Sequence, residues 1–153
     1  MPEIKRETVV PLAISNVWPF IADYNNWAHD MPGYEKHDTI SDKESVWHVT
    51  GHVGPINKTV PMRVLITEWV NETKVAFTID AEGLPVSGNG SVNIRENGPE
   101  ETRMTFKLFI NCTGMIGNLV NAQLAKMLPK MCDGFIKDLA KDIMINNKKT
   151  KEA

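Results

Sequence analysis

The stretch Met115–Ile145, MIGNLVNAQLAKMLPKMCDGFIKDLAKDIMI, decides the fold. In it Ile116, Leu119, Val120, Leu124, Met127, Leu128, Met131, Phe135, Leu139 and Ile143 recur at steps of three and four. That spacing gathers apolar groups on one face of an α-helix. It predicts a single helix of roughly 30 residues, about 45 Å long at 1.5 Å per residue. Pro129 removes one backbone bond inside it and crowds the preceding turn, so a bend is expected there. A helix with one apolar stripe must bury that stripe against another layer. The layer has to come from upstream.

Upstream the period is two. EIKRETVV (3–10) alternates and becomes β-branched, which reads as a first strand closed by Pro11. YEKHDTISD, ESVWHVTGHVG, KTVPMRVLITEWV, TKVAFTIDAE, VSGNGSVNIRE and TRMTFKLFIN read as six more strands. Their separators are Asp42-Lys43, Gly54-Pro55, Asn71-Glu72, Gly83-Leu84-Pro85 and the NGPEE run, all turn chemistry. Short strands on short turns imply an antiparallel sheet. Between the first strand and the rest lie two short helices. NVWPFIAD is expected to be capped by Ser15, with Pro19 in its first turn. WAHDM is expected to end at Pro32-Gly33. The fold class is therefore α+β: a curved antiparallel sheet of about seven strands wrapped on a long C-terminal helix. Residues 1–146 make one domain, and the lysine-rich 147–153 read as a disordered basic tail.

Composition narrows the function. The 153 residues carry 17 basic and 19 acidic side chains, for a net charge of -2. That balance gives no basic surplus for nucleic acid. MPEIKRETVV lacks the apolar run of a signal peptide, and no stretch is apolar enough to span a membrane. A cytoplasmic location is the expectation, and with it reduced, buried Cys112 and Cys132. Lys148, Lys149 and Lys151 support at most weak peripheral contact with an anionic membrane.

The order of elements and a set of short motifs resemble the helix-grip fold of the START-like (SRPBCC) superfamily. The family most similar is the CoxG-like one, named for a component of carbon monoxide dehydrogenase. The residues that carry the resemblance are VWPFIAD, MPGYEK, VGPINKTVPMRV, GNGSVNI, ETRMTF and GMIGNLV, in that order along residues 3–143. The resemblance implies an internal pocket for a small hydrophobic ligand such as a lipid, isoprenoid or polyketide. It also implies a second possibility, an accessory role for a molybdenum hydroxylase complex, and with it a protein partner. The alternatives are a polyketide cyclase or dehydratase, and an interaction module with a filled core.

The chemistry-bearing residues favour binding. His48 and His52 share a strand face but stand about 13 Å apart, too far to share an ion. No metal site and no cofactor are expected. There is no G-x-S-x-G elbow and no cysteine signature, so no catalytic residue is assigned. GNGSVN reads as a strand whose glycines let a helix or ligand pass closely. His29 and Asp30 are neighbours that point about 100° apart on a helix, so they read as solvated rim groups. The expected cavity is lined by Trp27, Met31, Tyr34, Trp47, Val49, Met62, Val64, Ile66, Phe77, Ile79, Met104, Phe106, Leu108, Gln123, Met127 and Met131. Methionines line adaptable apolar sites, and Gln123 interrupts the helix stripe with one polar group. Trp27 to Tyr34 reads as a movable lip over the mouth.

Overall fold

The structure is a computed structural model that describes residues 3–31, 33–53 and 56–152. Strand β1 (Glu3–Val10) leads into helix α1 (Ile14–Ala22). Two 3-10 turns follow, Tyr24–Asn26 and Ala28–Asp30. Strands β2 (Tyr34–Thr39), β3 (Glu44–Val53), β4 (Ile56–Val70), β5 (Lys74–Ala81), β6 (Val86–Gly98) and β7 (Glu101–Cys112) come next. Helix α2 (Gly117–Glu152) ends the chain.

The seven strands form one antiparallel sheet in the order β1-β7-β6-β5-β4-β3-β2. The hairpins β2 to β7 are sequential neighbours. β1 returns to pair with β7, so α1 and the 3-10 turns carry the chain from one edge of the sheet to the other. Alternation does the sorting. On β5, Val75, Phe77, Ile79 and Ala81 are buried, and on β7 Thr102, Met104, Phe106 and Leu108 are. These inward groups meet the helix stripe of Leu128, Cys132, Phe135, Ile136, Leu139 and Ile143. No helix among the described residues is long and apolar enough to cross a membrane.

Several local expectations are corrected. Helix α1 begins at Ile14 with Ala13 as its cap, and no side chain caps it. Ser15 is therefore inside the first turn, and Pro19 sits in the helix interior. Its ring leaves the carbonyl of Ser15 without an intrahelical donor, and Ser15 is exposed, so water can serve it. The second short helix is the pair of 3-10 turns. Helix α2 continues through residues 147–152, where a disordered tail was expected. Ile116 and Leu119 are exposed and do not join the buried stripe. Pro129 lies within α2, and the carbonyl it frees belongs to exposed Ala125. The stop at Pro32 and the turn at Gly54-Pro55 lie outside the described residues, as does the side chain of His52.

The glycines of β6 serve neighbouring strands. A methyl on Gly90 would lie 2.7 Å from Cζ of Phe77, its cross-strand partner, and one on Gly88 would strike the carbonyl oxygen of Phe109. What passes closely is therefore a ring of β5 and the backbone of β7, where a helix or ligand was expected. Gly33 has φ +77, and a side chain there would strike the carbonyl oxygen of Thr50, so the corner into β2 requires glycine.

Candidate ligand cavity

Between the sheet and the first half of α2 the core does not close. An apolar cavity of about 210 Å³ remains. Strand β3 contributes Trp47, Val49, Thr50 and Gly51, and β4 contributes Val60, Met62 and Val64. Phe77, Ile79 and Ala81 of β5, Val86 of β6, and Phe106, Leu108 and Ile110 of β7 form the floor. Val120, Gln123, Leu124, Met127, Leu128, Met131 and Cys132 of α2 form the roof, and Met31 and Leu84 complete the lining. Gly51 and Leu84 are exposed, so the cavity reaches the surface beside them.

Apart from Gln123 and the thiol of Cys132, the side-chain polar atoms of the lining are turned away or already bonded. The indole N–H of Trp47 donates to Oγ of buried Ser45 at 2.7 Å, so only the ring faces the cavity. Thr50 Oγ1 donates to Oε1 of Glu35 and bonds the hydroxyl of Thr59. Cys132 is buried, and that burial pushes its thiol up to about 11, with Arg6 lowering it and Asp133 raising it. Gln123 is half-buried, and its amide makes no side-chain hydrogen bond among the described residues. It is the lining group with polar capacity to spare.

Of the expected lining residues, Met31, Trp47, Val49, Met62, Val64, Phe77, Ile79, Phe106, Leu108, Gln123, Met127 and Met131 surround the cavity. Trp27, Tyr34, Ile66 and Met104 do not. Trp27 is 1% exposed; its N–H donates to the carbonyl of Ile21 at 3.0 Å, and its ring packs edge-on against Trp47 and Phe135. It is a core wedge beneath the cavity wall, which a movable lip cannot be. Ile66 and Met104 are buried in the filled part of the core. Tyr34 packs edge-on to Trp47 from outside the cavity. Its hydroxyl bonds Nδ1 of His37 at 2.6 Å, and Nε2 of His37 bonds Oδ1 of Asn25 at 2.6 Å. Because an amide oxygen only accepts, Nε2 of His37 carries the proton and Nδ1 accepts from Tyr34. Burial raises the Tyr34 hydroxyl above its ordinary range.

The rim pair is also corrected. His29 is exposed as expected, but the Asp30 side chain is only 8% exposed. The two meet at 3.4 Å from Nε2 to Oδ1, and the same Nε2 lies 2.7 Å from Oδ2 of Asp142 on α2. The imidazole is long enough to fold back over its neighbour once Asp142 draws it there. Burial, then the hydrogen bond and charge of Asp142, then the charge of Asp138 push the Asp30 carboxyl up to about 8.

The exposed end of the cavity is framed by the β5–β6 and β7–α2 connections. The backbone N–H of Thr113 donates to the carbonyl of Pro85 at 2.8 Å. Asn121 joins α2 to the end of β7: its Oδ1 accepts from the N–H of Cys112, and its Nδ2 donates to the Cys112 carbonyl and to Asn111. Just outside this joint Met115, Ile116 and Leu119 are exposed.

Comparison with known proteins agrees with this architecture. A family profile described as "Polyketide cyclase / dehydrase and lipid transport" matches residues 1–143. No curated protein matches the sequence. A conserved protein from Geobacillus kaustophilus is similar in structure at TM-score 0.73 and 16% identity, covering 94% of this chain and 95% of that one. A START superfamily protein from Mycobacterium smegmatis is similar at TM-score 0.68 and 7% identity, covering 92% and 98%. The ZhuI aromatase/cyclase from Streptomyces sp. R1128 is similar at TM-score 0.65 and 13% identity, covering 96% and 93%. At these identities the likeness is one of fold.

Proposed function

Because the chain belongs to the polyketide cyclase/dehydrase and lipid transport family, we propose that it binds and carries a small hydrophobic molecule in the cavity under α2. The observation that carries this reading is the lining itself. Its walls are aliphatic, aromatic and thioether groups, and among the described lining residues only the thiol of Cys132 titrates. A cyclase or dehydratase needs a group that moves a proton near neutral pH, and a thiol held near 11 is poorly matched to that task. Burial of an apolar ligand needs only the walls. In this proposal Trp47, Phe77 and Phe106 are the rigid contacts, Met31, Met62, Met127 and Met131 adapt to ligand shape, and Gln123 bonds the ligand's one polar group. The narrower form of the proposal rests on the order of the six motifs from VWPFIAD to GMIGNLV: a cytoplasmic, CoxG-like accessory protein whose partner is a molybdenum hydroxylase, testable by co-purification.

The binding claim is tested by titration with the fluorescent apolar probe N-phenyl-1-naphthylamine. Val64 is 4% exposed and lines the cavity, so Val64→Phe places a ring in the empty space. Wild type is expected to bind one probe saturably. The folded variant is expected to lose at least about tenfold in affinity, the equivalent of about 1.4 kcal/mol. Unchanged probe binding by a folded Val64→Phe protein would place the site elsewhere.

A further inference from the structure

Three donor atoms converge at the junction of the second 3-10 turn and α2, away from the cavity lining. Nε2 of His29 lies 2.7 Å from Oδ2 of Asp142 and 3.4 Å from Oδ1 of Asp30. One ligand atom from each of the three residues lies within 4.8 Å of the others. A zinc-type ion holds nitrogen and oxygen donors at about 2.0–2.2 Å, which sets neighbouring donors about 3.3 Å apart in a tetrahedron. The observed separations bracket that value. A second, independent feature points to a ligand. Oδ2 of Asp30, in a side chain only 8% exposed, receives no N–H or O–H from a described residue, and the neighbour its carboxyl bonds is a second acid, Asp142. Two acids packed together out of water are costly unless a positive charge joins them, and a bound cation supplies that charge.

We propose that His29, Asp30 and Asp142 form a divalent transition-metal site that staples the turn before β2 to the long helix. One imidazole with two carboxylates and no thiolate selects a borderline ion of the zinc type over magnesium or calcium, which prefer all-oxygen sets. Exposure of His29 leaves one side of the site open to water as a fourth ligand. Asp138, one turn earlier on α2, adds negative charge near Asp30 and favours the bound cation further. Met31, the next residue after Asp30, lines the cavity, so the staple fixes the turn that carries a lining residue.

The experiment is isothermal titration of the tag-free, full-length protein with zinc chloride, paired with thermal unfolding with and without the ion. Wild type is expected to bind one zinc ion per chain in the micromolar range and to unfold at a higher temperature with zinc. Magnesium is expected to do neither. His29→Gln and Asp142→Asn remove ligands at partly exposed positions and are expected to weaken zinc binding by at least about tenfold. His48→Gln, which breaks the separate His48–Asp38 pair at 3.3 Å, is expected to change nothing. Circular dichroism confirms that each variant is folded. Absence of saturable micromolar binding in wild type, or equal binding by folded His29→Gln and Asp142→Asn proteins, would overturn the proposal.

Discussion

Phe106 sits where packing and emptiness meet. It is 1% exposed, its ring centroid lies 4.3 Å from that of Phe135, and its other side borders the cavity. Phe→Ala changes in a close-packed core cost about 3–5 kcal/mol. Here part of the ring already faces empty space and has fewer contacts to lose. Phe106→Ala is therefore expected near the lower end, about 3 kcal/mol by urea unfolding, with altered affinity for an apolar dye. A loss near the upper end with no dye binding by either protein would mean that the core is filled. Cys132 gives a second reading of the same wall. Its thiol is pushed to about 11 where an ordinary one lies at 9.0, so at pH 8 it holds about a hundredfold less thiolate. In a Cys112→Ala background, iodoacetamide should alkylate Cys132 slowly at pH 8 in native protein. Reaction as fast as in urea would contradict that burial. Neither residue's role was readable beforehand in full: alternation put Phe106 on the inward face, but nothing near Cys132 in sequence announces a thiol against an apolar space.

At the level of elements, helix α2 has two zones. From Phe135 onward its stripe is buried in the packed core, while the part from Val120 to Cys132 roofs the cavity and the first turn leaves Ile116 and Leu119 exposed. The i, i+3, i+4 pattern runs through both zones without a break, because apolar spacing reports which face is inward and not whether anything fills the space below. The same limit explains Trp27. A tryptophan between two chain breaks reads as a mobile lip; its burial depends on an indole bond to Ile21 and on rings from β3 and α2 that are remote in sequence. The joint that Asn121 closes, at the exposed end of the cavity, is where the binding proposal expects a ligand to enter. Amide hydrogen exchange is expected to be slow in 24–31 and faster in 113–124, and 113–124 should slow when an apolar ligand binds. Asn121→Ala removes three hydrogen bonds and should speed exchange in that segment while the C-terminal half of α2 stays protected. Faster exchange in 24–31 than in 113–124 would return the point of entry to the first position.

For the whole molecule, the order of elements was legible because the hydrophobic period changes from two to 3.6 and the turns carry Gly, Pro, Asn and Asp. The curved antiparallel sheet and the long covering helix follow from that order, whereas the pairing of β1 with β7, across nearly the whole chain, is read from the structure alone. Most of the cavity wall was legible as well, since inward strand positions are fixed by alternation. The convergence of His29 and Asp30 with Asp142, 113 residues from His29, was not, because no local spacing encodes a contact that the whole fold creates. What the fold does with its unfilled core is the central claim, and native mass spectrometry of the freshly purified full-length protein tests it most directly. A one-to-one adduct of a small apolar molecule is expected, removable by organic solvent and restored when lipid, isoprenoid or polyketide probes are offered. The bare protein mass, unchanged after all three probe classes are offered, would contradict it.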